Sequence, residues 1–178
     1  MMKRTLGRSG IEVSAMGLGT WAIGGPWTLG GGEAGWSSVD DEESTRAIQH
    51  AIELGVNFFD TAANYGAGHS ERVLGNAIKG QRDKIVIATK FGYKVDEKRK
   101  EVMAYGEKVE DSDVASHIRE DLEASLSRLG TDYIDAYLLH VWGLSVERAL
   151  AARDVLDVLV REGKYRTYGW STDRLDEM

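Results

Sequence analysis

Short apolar runs alternate with longer stretches whose apolar residues recur every three or four positions, and a glycine closes each of those stretches. The runs are Val56–Phe59, Lys84–Lys90, Tyr133–His140 and Tyr165–Ser171. Between them, Ala47, Ile48, Ala51 and Ile52 form one stripe before Gly55, and Val73, Leu74, Ala77 and Ile78 form another before Gly80. Val114, Ile118, Leu122, Leu126 and Leu129 precede Gly130, and Leu150, Val155, Leu156 and Leu159 precede Gly163. The 3.6-residue period predicts helices, stopped by glycine at the C-cap, and the short β-branched runs predict strands. Asp40 with Glu43 gives a capping-box start to the first helix, and Ser70 is expected to cap the second. Ahead of them, Arg4–Ser14 reads as a β-hairpin and Met16–Thr20 as a short strand. The order predicts an α/β fold with about five parallel strands and right-handed crossovers. Either a doubly wound sheet or part of a (β/α)8 barrel would satisfy it. Two segments lack periodicity, the Gly/Trp-rich Trp21–Ser38 and the polar Phe91–Asp111, and both read as loops. The second is expected to be a mobile surface segment with a possible lid role.

Composition narrows the function classes. The 178 residues carry a net charge of −7, which argues against nucleic acid and anionic membrane surfaces as partners. There are no cysteines, so disulfides and thiolate nucleophiles are excluded and a cytoplasmic location is expected. No apolar run is long enough to span a bilayer. The four histidines, His50, His69, His117 and His140, lack paired ligand spacing, so no metal site is expected.

The chemistry sits at the strand ends. Asp60, Lys90, His140 and Ser171-Thr172 each close one of the predicted strands, and in a parallel sheet these ends share one rim, where ligands of α/β proteins bind. Tyr65 follows in the loop after Asp60 and can fold over that rim. A lysine ammonium a few ångströms from a phenol favours the phenolate, and an acid keeps the lysine charged and oriented. Such a phenol can give a proton to a carbonyl oxygen, with a histidine donating a second hydrogen bond to the same oxygen. Protonating oxygen while carbon gains hydride is carbonyl reduction, and hydride requires a cofactor.

At this point the residues resemble a family. Gly55-x4-Asp60-Thr61-Ala62-x2-Tyr65-Gly66, followed by Glu71 and Gly75, is similar to the signature of the aldo-keto reductases. So are Leu6-Gly7-x-Ser9-Gly10, Gly17-Leu18-Gly19-Thr20-Trp21, Thr89-Lys90, Leu138-Leu139-His140 and Arg161-Glu162-Gly163-Lys164. The resemblance implies a (β/α)8 TIM barrel and NADPH-dependent reduction of aldehydes or ketones. It implies the tetrad Asp60, Tyr65, Lys90 and His140, with Tyr65 as general acid. It puts Gly19, Thr20, Trp21, Asp60, Ser171 and Thr172 near the nicotinamide half of NADPH, and Trp21, Tyr93 and Trp142 around a small carbonyl substrate. The chain departs from the family at Thr172, where the usual pair is Ser-Asn and a carboxamide-binding amide is lacking.

Five strands do not close an eight-stranded barrel. Residues 1–178 are therefore expected to be one domain, the N-terminal portion of such a barrel, with exposed edges that invite self-association or a missing C-terminal portion. Arg174–Met178 reads as the start of a further helix. Weak cofactor affinity is expected of the chain alone. The alternative is a non-catalytic partial-barrel scaffold. A Rossmann dehydrogenase is disfavoured, because Gly17-x-Gly19-x-x-Ala22 is followed by Ile23-Gly24-Gly25-Pro26, which opens no helix to seat a pyrophosphate.

Overall fold

The computed structural model describes residues 1–105, 111–141 and 145–174, with side chains of 111–116 left aside. A hairpin of β1 (Lys3–Thr5) and β2 (Glu12–Ser14) opens the chain. The main sheet contains β3 (Leu18–Gly19), β6 (Phe58–Asp60), β7 (Val86–Phe91), β10 (Ile134–Leu139) and β11 (Tyr165–Trp170), numbered in chain order with the strands given below. They lie side by side in that order, and every pair is parallel. Strands that follow one another both in sequence and in space, each reached through a crossover, are the arrangement of a barrel wall rather than of a doubly wound sheet.

The crossovers are the predicted helices. α1 (Asp41–Glu53) starts where the Asp40 carboxylate accepts from the Glu43 N–H at 2.9 Å, and it ends at Gly55, whose φ of +90° only glycine adopts without strain. α2 spans His69–Ala77 and α3 Asp111–Leu129. The expected helix before Gly163 is two helices, α4 (Val146–Ala151) and α5 (Arg153–Arg161). The Ser145 hydroxyl caps α4, and Leu150 stays exposed while Leu156 and Leu159 reach the core. Phe59, Leu74, Ile87, Ile118, Leu122, Leu129, Ile134 and Leu159 fill the space between sheet and helices. The N-terminal hairpin is pinned at the opposite end from the strand C-termini. Ser14 and Asn57 exchange hydrogen bonds of 2.6 and 3.0 Å, and Ile11 and Val13 pack on Val86.

Three expectations need correction. Trp21–Ser38 is not simply a loop: a 3₁₀ turn at Ala22–Gly24 leads into β4 (Pro26–Leu29) and β5 (Gly32–Gly35). Phe91–Asp111 is not a structureless lid, since it contains β8 (Tyr93–Asp96) and β9 (Glu101–Ala104). The two hairpins join into a second sheet, ordered β5-β4-β9-β8, around a small core of Trp27, Ala67, Tyr93 and Val102. Finally, Ser70 lies inside α2, whose N-cap is Gly68 at φ +87°, and its hydroxyl serves another purpose. Among the described residues no helix is long and apolar enough to cross a membrane.

Candidate active site

Sheet register brings the predicted strand-end residues to one rim. Gly19 pairs with Asp60, Asp60 with Ala88, and Lys90 with Leu138. The ladder continues one step beyond the strands, with the His140 N–H donating to the Phe91 carbonyl at 2.9 Å and the Ser171 N–H to Leu139 at 2.8 Å.

Lys90 lies at the centre and is only 4% exposed. A buried ammonium is costly unless each N–H finds an acceptor, and Lys90 Nζ has three. It donates to Asp60 Oδ1 at 2.7 Å, to the Thr61 carbonyl at 2.8 Å and to the Tyr65 hydroxyl at 3.1 Å. Asp60 and Tyr65 are partly exposed, so the chain of charges runs from the interior to an accessible phenol. The Tyr65 and His140 rings meet edge to face with centroids 6.0 Å apart, and Tyr93 approaches His140 in the same way at 5.8 Å. Burial, helped by the Lys90 charge, pushes the His140 imidazole down to about 4, so it is neutral at neutral pH. Its Nδ1 lies 3.2 Å from Oδ1 of Asn64.

Two layers behind the rim hold these groups; the sequence reading named Thr20, Thr61, Ser70, Glu71 and Thr89 but not the contacts between them. The Ser70 hydroxyl donates to the Thr20 carbonyl at 2.8 Å, and the Thr20 hydroxyl donates to the carbonyl of Asp60 at 3.0 Å. Thr61 Oγ1 lies 3.1 Å from Ser70 Oγ. All three hydroxyl residues are fully buried. Deeper still, the fully buried Glu71 accepts from Thr89 Oγ1 at 2.5 Å and from Arg128 Nε at 2.6 Å. Arg128 and Arg72 also bind Glu97, at the turn between β8 and β9, which ties the second sheet to α2 and α3. Lys100, at that same turn, donates to the Gly66 carbonyl at 3.1 Å. Glycine is required at 66, where φ is +63° and a Cβ would fall 2.0 Å from the Gly24 carbonyl oxygen. A polar residue on a helix's apolar side needs a partner, and Glu71 meets that need through Thr89 and Arg128.

A sequence model of the Aldo/keto reductase family matches residues 15–178. The chain belongs to this family. Aldo-keto reductase YhdN of Bacillus subtilis is 36% identical over 172 residues, covering 96% of this chain and 46% of that protein. The NADH-specific methylglyoxal reductase of Escherichia coli is 37% identical over 173 residues, covering 95% and 51%. Among solved structures, the holo form of aldo-keto reductase AKR11C1 from Bacillus halodurans superposes with a TM-score of 0.76 at 30% identity, over 98% of this chain and 51% of that one. An aldo-keto reductase of Klebsiella pneumoniae in complex with NADPH superposes with a TM-score of 0.70 at 28% identity, over 99% and 52%. The chain thus spans about half the length of the curated relatives it matches. Its five consecutive parallel strands are part of the family's TIM barrel.

The remaining expected site residues of this family member divide. Gly19 is exposed next to Asp60, and Ser171 and Thr172 are half-buried at the end of β11. Trp21 is 48% exposed and meets the exposed Trp36 edge to face at 5.8 Å, a partner the sequence reading did not single out. Thr20 has no exposed surface, and its hydroxyl donates to the backbone carbonyl of Asp60. Tyr93 is buried against His140. Trp142 lies outside the described residues.

Proposed function

We propose that this chain is the N-terminal, five-strand portion of an NADPH-dependent oxidoreductase that reduces aldehydes or ketones to alcohols, and that residues 1–178 form one domain located in the cytoplasm. The observation that carries the reading is the three-way coordination of Lys90 Nζ by Asp60, the Thr61 carbonyl and the Tyr65 hydroxyl. A phenol held against a buried ammonium is suited to give up its proton, because the anion it leaves is stabilised where it forms.

The rim fits a nicotinamide. Gly19 leaves open space beside Asp60, Trp21 offers a partly exposed aromatic surface, and Ser171 and Thr172 place hydroxyl-bearing residues at the end of β11. When bound, the cofactor supplies hydride to the carbonyl carbon. Tyr65 gives its hydroxyl proton to the carbonyl oxygen as negative charge builds there. Lys90 holds the resulting phenolate, and Asp60 fixes Lys90. His140, neutral at working pH, orients the carbonyl by a hydrogen bond. Tyr93 and Trp21 border the substrate. NADPH is preferred on the strength of the Klebsiella complex, and the E. coli relative's NADH specificity makes the coenzyme the first thing to measure.

The test follows the loss of NADPH absorbance on adding a short or aromatic aldehyde to the full-length protein. Tyr65→Phe is expected to lower kcat by about a hundredfold or more while leaving cofactor binding nearly unchanged, as loss of a general acid requires. Full turnover in that variant would dismiss the assignment.

A further inference from the structure

Asn64 stands in contact with the proposed machinery without belonging to the tetrad. It directly precedes Tyr65, is 6% exposed, and presents its side-chain amide to His140 Nδ1 at 3.2 Å. Its backbone is fixed, since its carbonyl accepts from the Ala67 N–H at 3.1 Å. Its side-chain nitrogen donates to no other group among the described residues, and His140 Nε2 bonds to none of them either.

A neutral imidazole carries one N–H, and the partner of one ring nitrogen decides what the other can do. With Oδ1 of Asn64 facing it, Nδ1 carries the hydrogen and Nε2 is a bare acceptor. With the amide turned by half a rotation, Nδ2–H donates to Nδ1, and Nε2 becomes the donor. The rotation breaks no other bond of the amide, because the side chain has no second partner to lose. A carbonyl oxygen only accepts hydrogen bonds, so reduction needs the second arrangement.

We infer that Asn64 is a positioning residue that selects the His140 tautomer, turning its amide nitrogen to Nδ1 so that Nε2–H can donate to the substrate carbonyl. The inference takes its purpose from the proposed carbonyl reduction, yet the tautomer itself is readable without turnover. Burial makes the selection matter: with His140 titrating at about 4, protonating both nitrogens is closed off at neutral pH.

The experiment is long-range ¹H–¹⁵N spectroscopy of the histidine side chains, with His140 assigned by its loss in His140→Gln, on the wild type and on Asn64→Asp and Asn64→Leu. Wild type is expected to show hydrogen on Nε2 and a hydrogen-bonded, acceptor-type Nδ1. In Asn64→Asp the new carboxylate can only accept, so hydrogen should move to Nδ1. In Asn64→Leu the Nδ1 signal should shift to that of an unbonded nitrogen. The kinetic counterpart is a fall in kcat of about tenfold for Asn64→Asp at neutral pH with cofactor Kd unchanged, the size expected from losing one oriented donor. That loss should reverse as pH drops, because the carboxylate favours the imidazolium, which restores Nε2–H. Hydrogen on Nδ1 in the wild type with NADP⁺ bound, or His140 signals unmoved by both substitutions, would overturn the inference. Loss of the tautomer result with Tyr65→Phe still inactive leaves the carbonyl-reductase reading intact, and the converse separates them the other way.

Discussion

Lys90 is 4% exposed, and its Nζ meets three oxygens within 3.1 Å. Two groups titrate far from their ordinary ranges. His140 is pushed down to about 4 by burial and by Lys90. Asp121 on α3 is pushed up to about 6 by burial, against the hydrogen bonds it accepts from Tyr105 and Gly92 and the charges of Arg128 and His117. Their effects on stability have opposite signs. Between about 4 and 6.5 the unfolded chain holds more protons at His140, so acid erodes stability there. Between 3.8 and about 6 the folded chain holds more protons at Asp121, so acid adds stability. Asp121→Asn removes the second contribution alone. Its melting temperature should therefore fall more steeply than the wild type's as pH drops from 6.5 to 4.5, checked by thermal unfolding across a buffer series; parallel curves would refute the Asp121 assignment. The gathering of Asp60, Tyr65, Lys90 and His140 was legible in the sequence because Asp60, Lys90 and His140 each punctuate an apolar run, and Tyr65 follows one at short range. The supporting contacts of Asn64, Thr20 and Ser70 were not, because small polar residues carry no period and their partners lie 40 to 76 positions away.

At the scale of elements, the second sheet is what the linear reading lost. Gly30 and Gly31 both have positive φ, at 56° and 85°, and join Pro26–Leu29 to Gly32–Gly35. Two adjacent glycines between short pairing segments are the signal of a two-residue hairpin turn, but the surrounding glycines diluted it. The β8–β9 hairpin had no such mark, and its charged turn read as solvent-facing although Glu97 is held by two arginines. The core strands and helices were legible because their apolar spacing is carried locally, whereas these hairpins depend on each other through the parallel β4–β9 pairing, 73 residues apart at Thr28 and Glu101. The contact between Gly24 and Gly66 gives this arrangement a test. Gly66→Ala must displace backbone, since its Cβ would lie 2.0 Å from the Gly24 oxygen. It should cost roughly 2–4 kcal/mol in denaturant unfolding. A loss under about 0.5 kcal/mol would mean that the two segments do not press together as described.

For the molecule as a whole, β3 and β11 are the edges of the five-stranded sheet, and each leaves one side of its backbone unpaired within it. A cavity of about 470 Å³ on this sheet is lined by Leu6, Phe58, Ala88, Ala136 and Leu138, with Arg8 and Asp60 at its margin. Apolar lining and open edges together favour burial against another surface. Sedimentation of the 178-residue chain should show mass increasing with concentration in the micromolar range, the regime of modest interfaces; a single monomer species throughout that range would count against it. A parallel sheet was readable from the alternation of elements, its sequential strand order only with the family resemblance, and the strand number showed that it would not close.

Ala67, one step beyond Gly66, belongs to the same small core as Trp27, Tyr93 and Val102. The second sheet and the loop that carries Tyr65 are therefore one mechanical body. Under the proposed carbonyl reduction, reshaping the hairpins to admit a bulkier aldehyde would move Tyr65 as well, so selectivity and rate would not be independent dials.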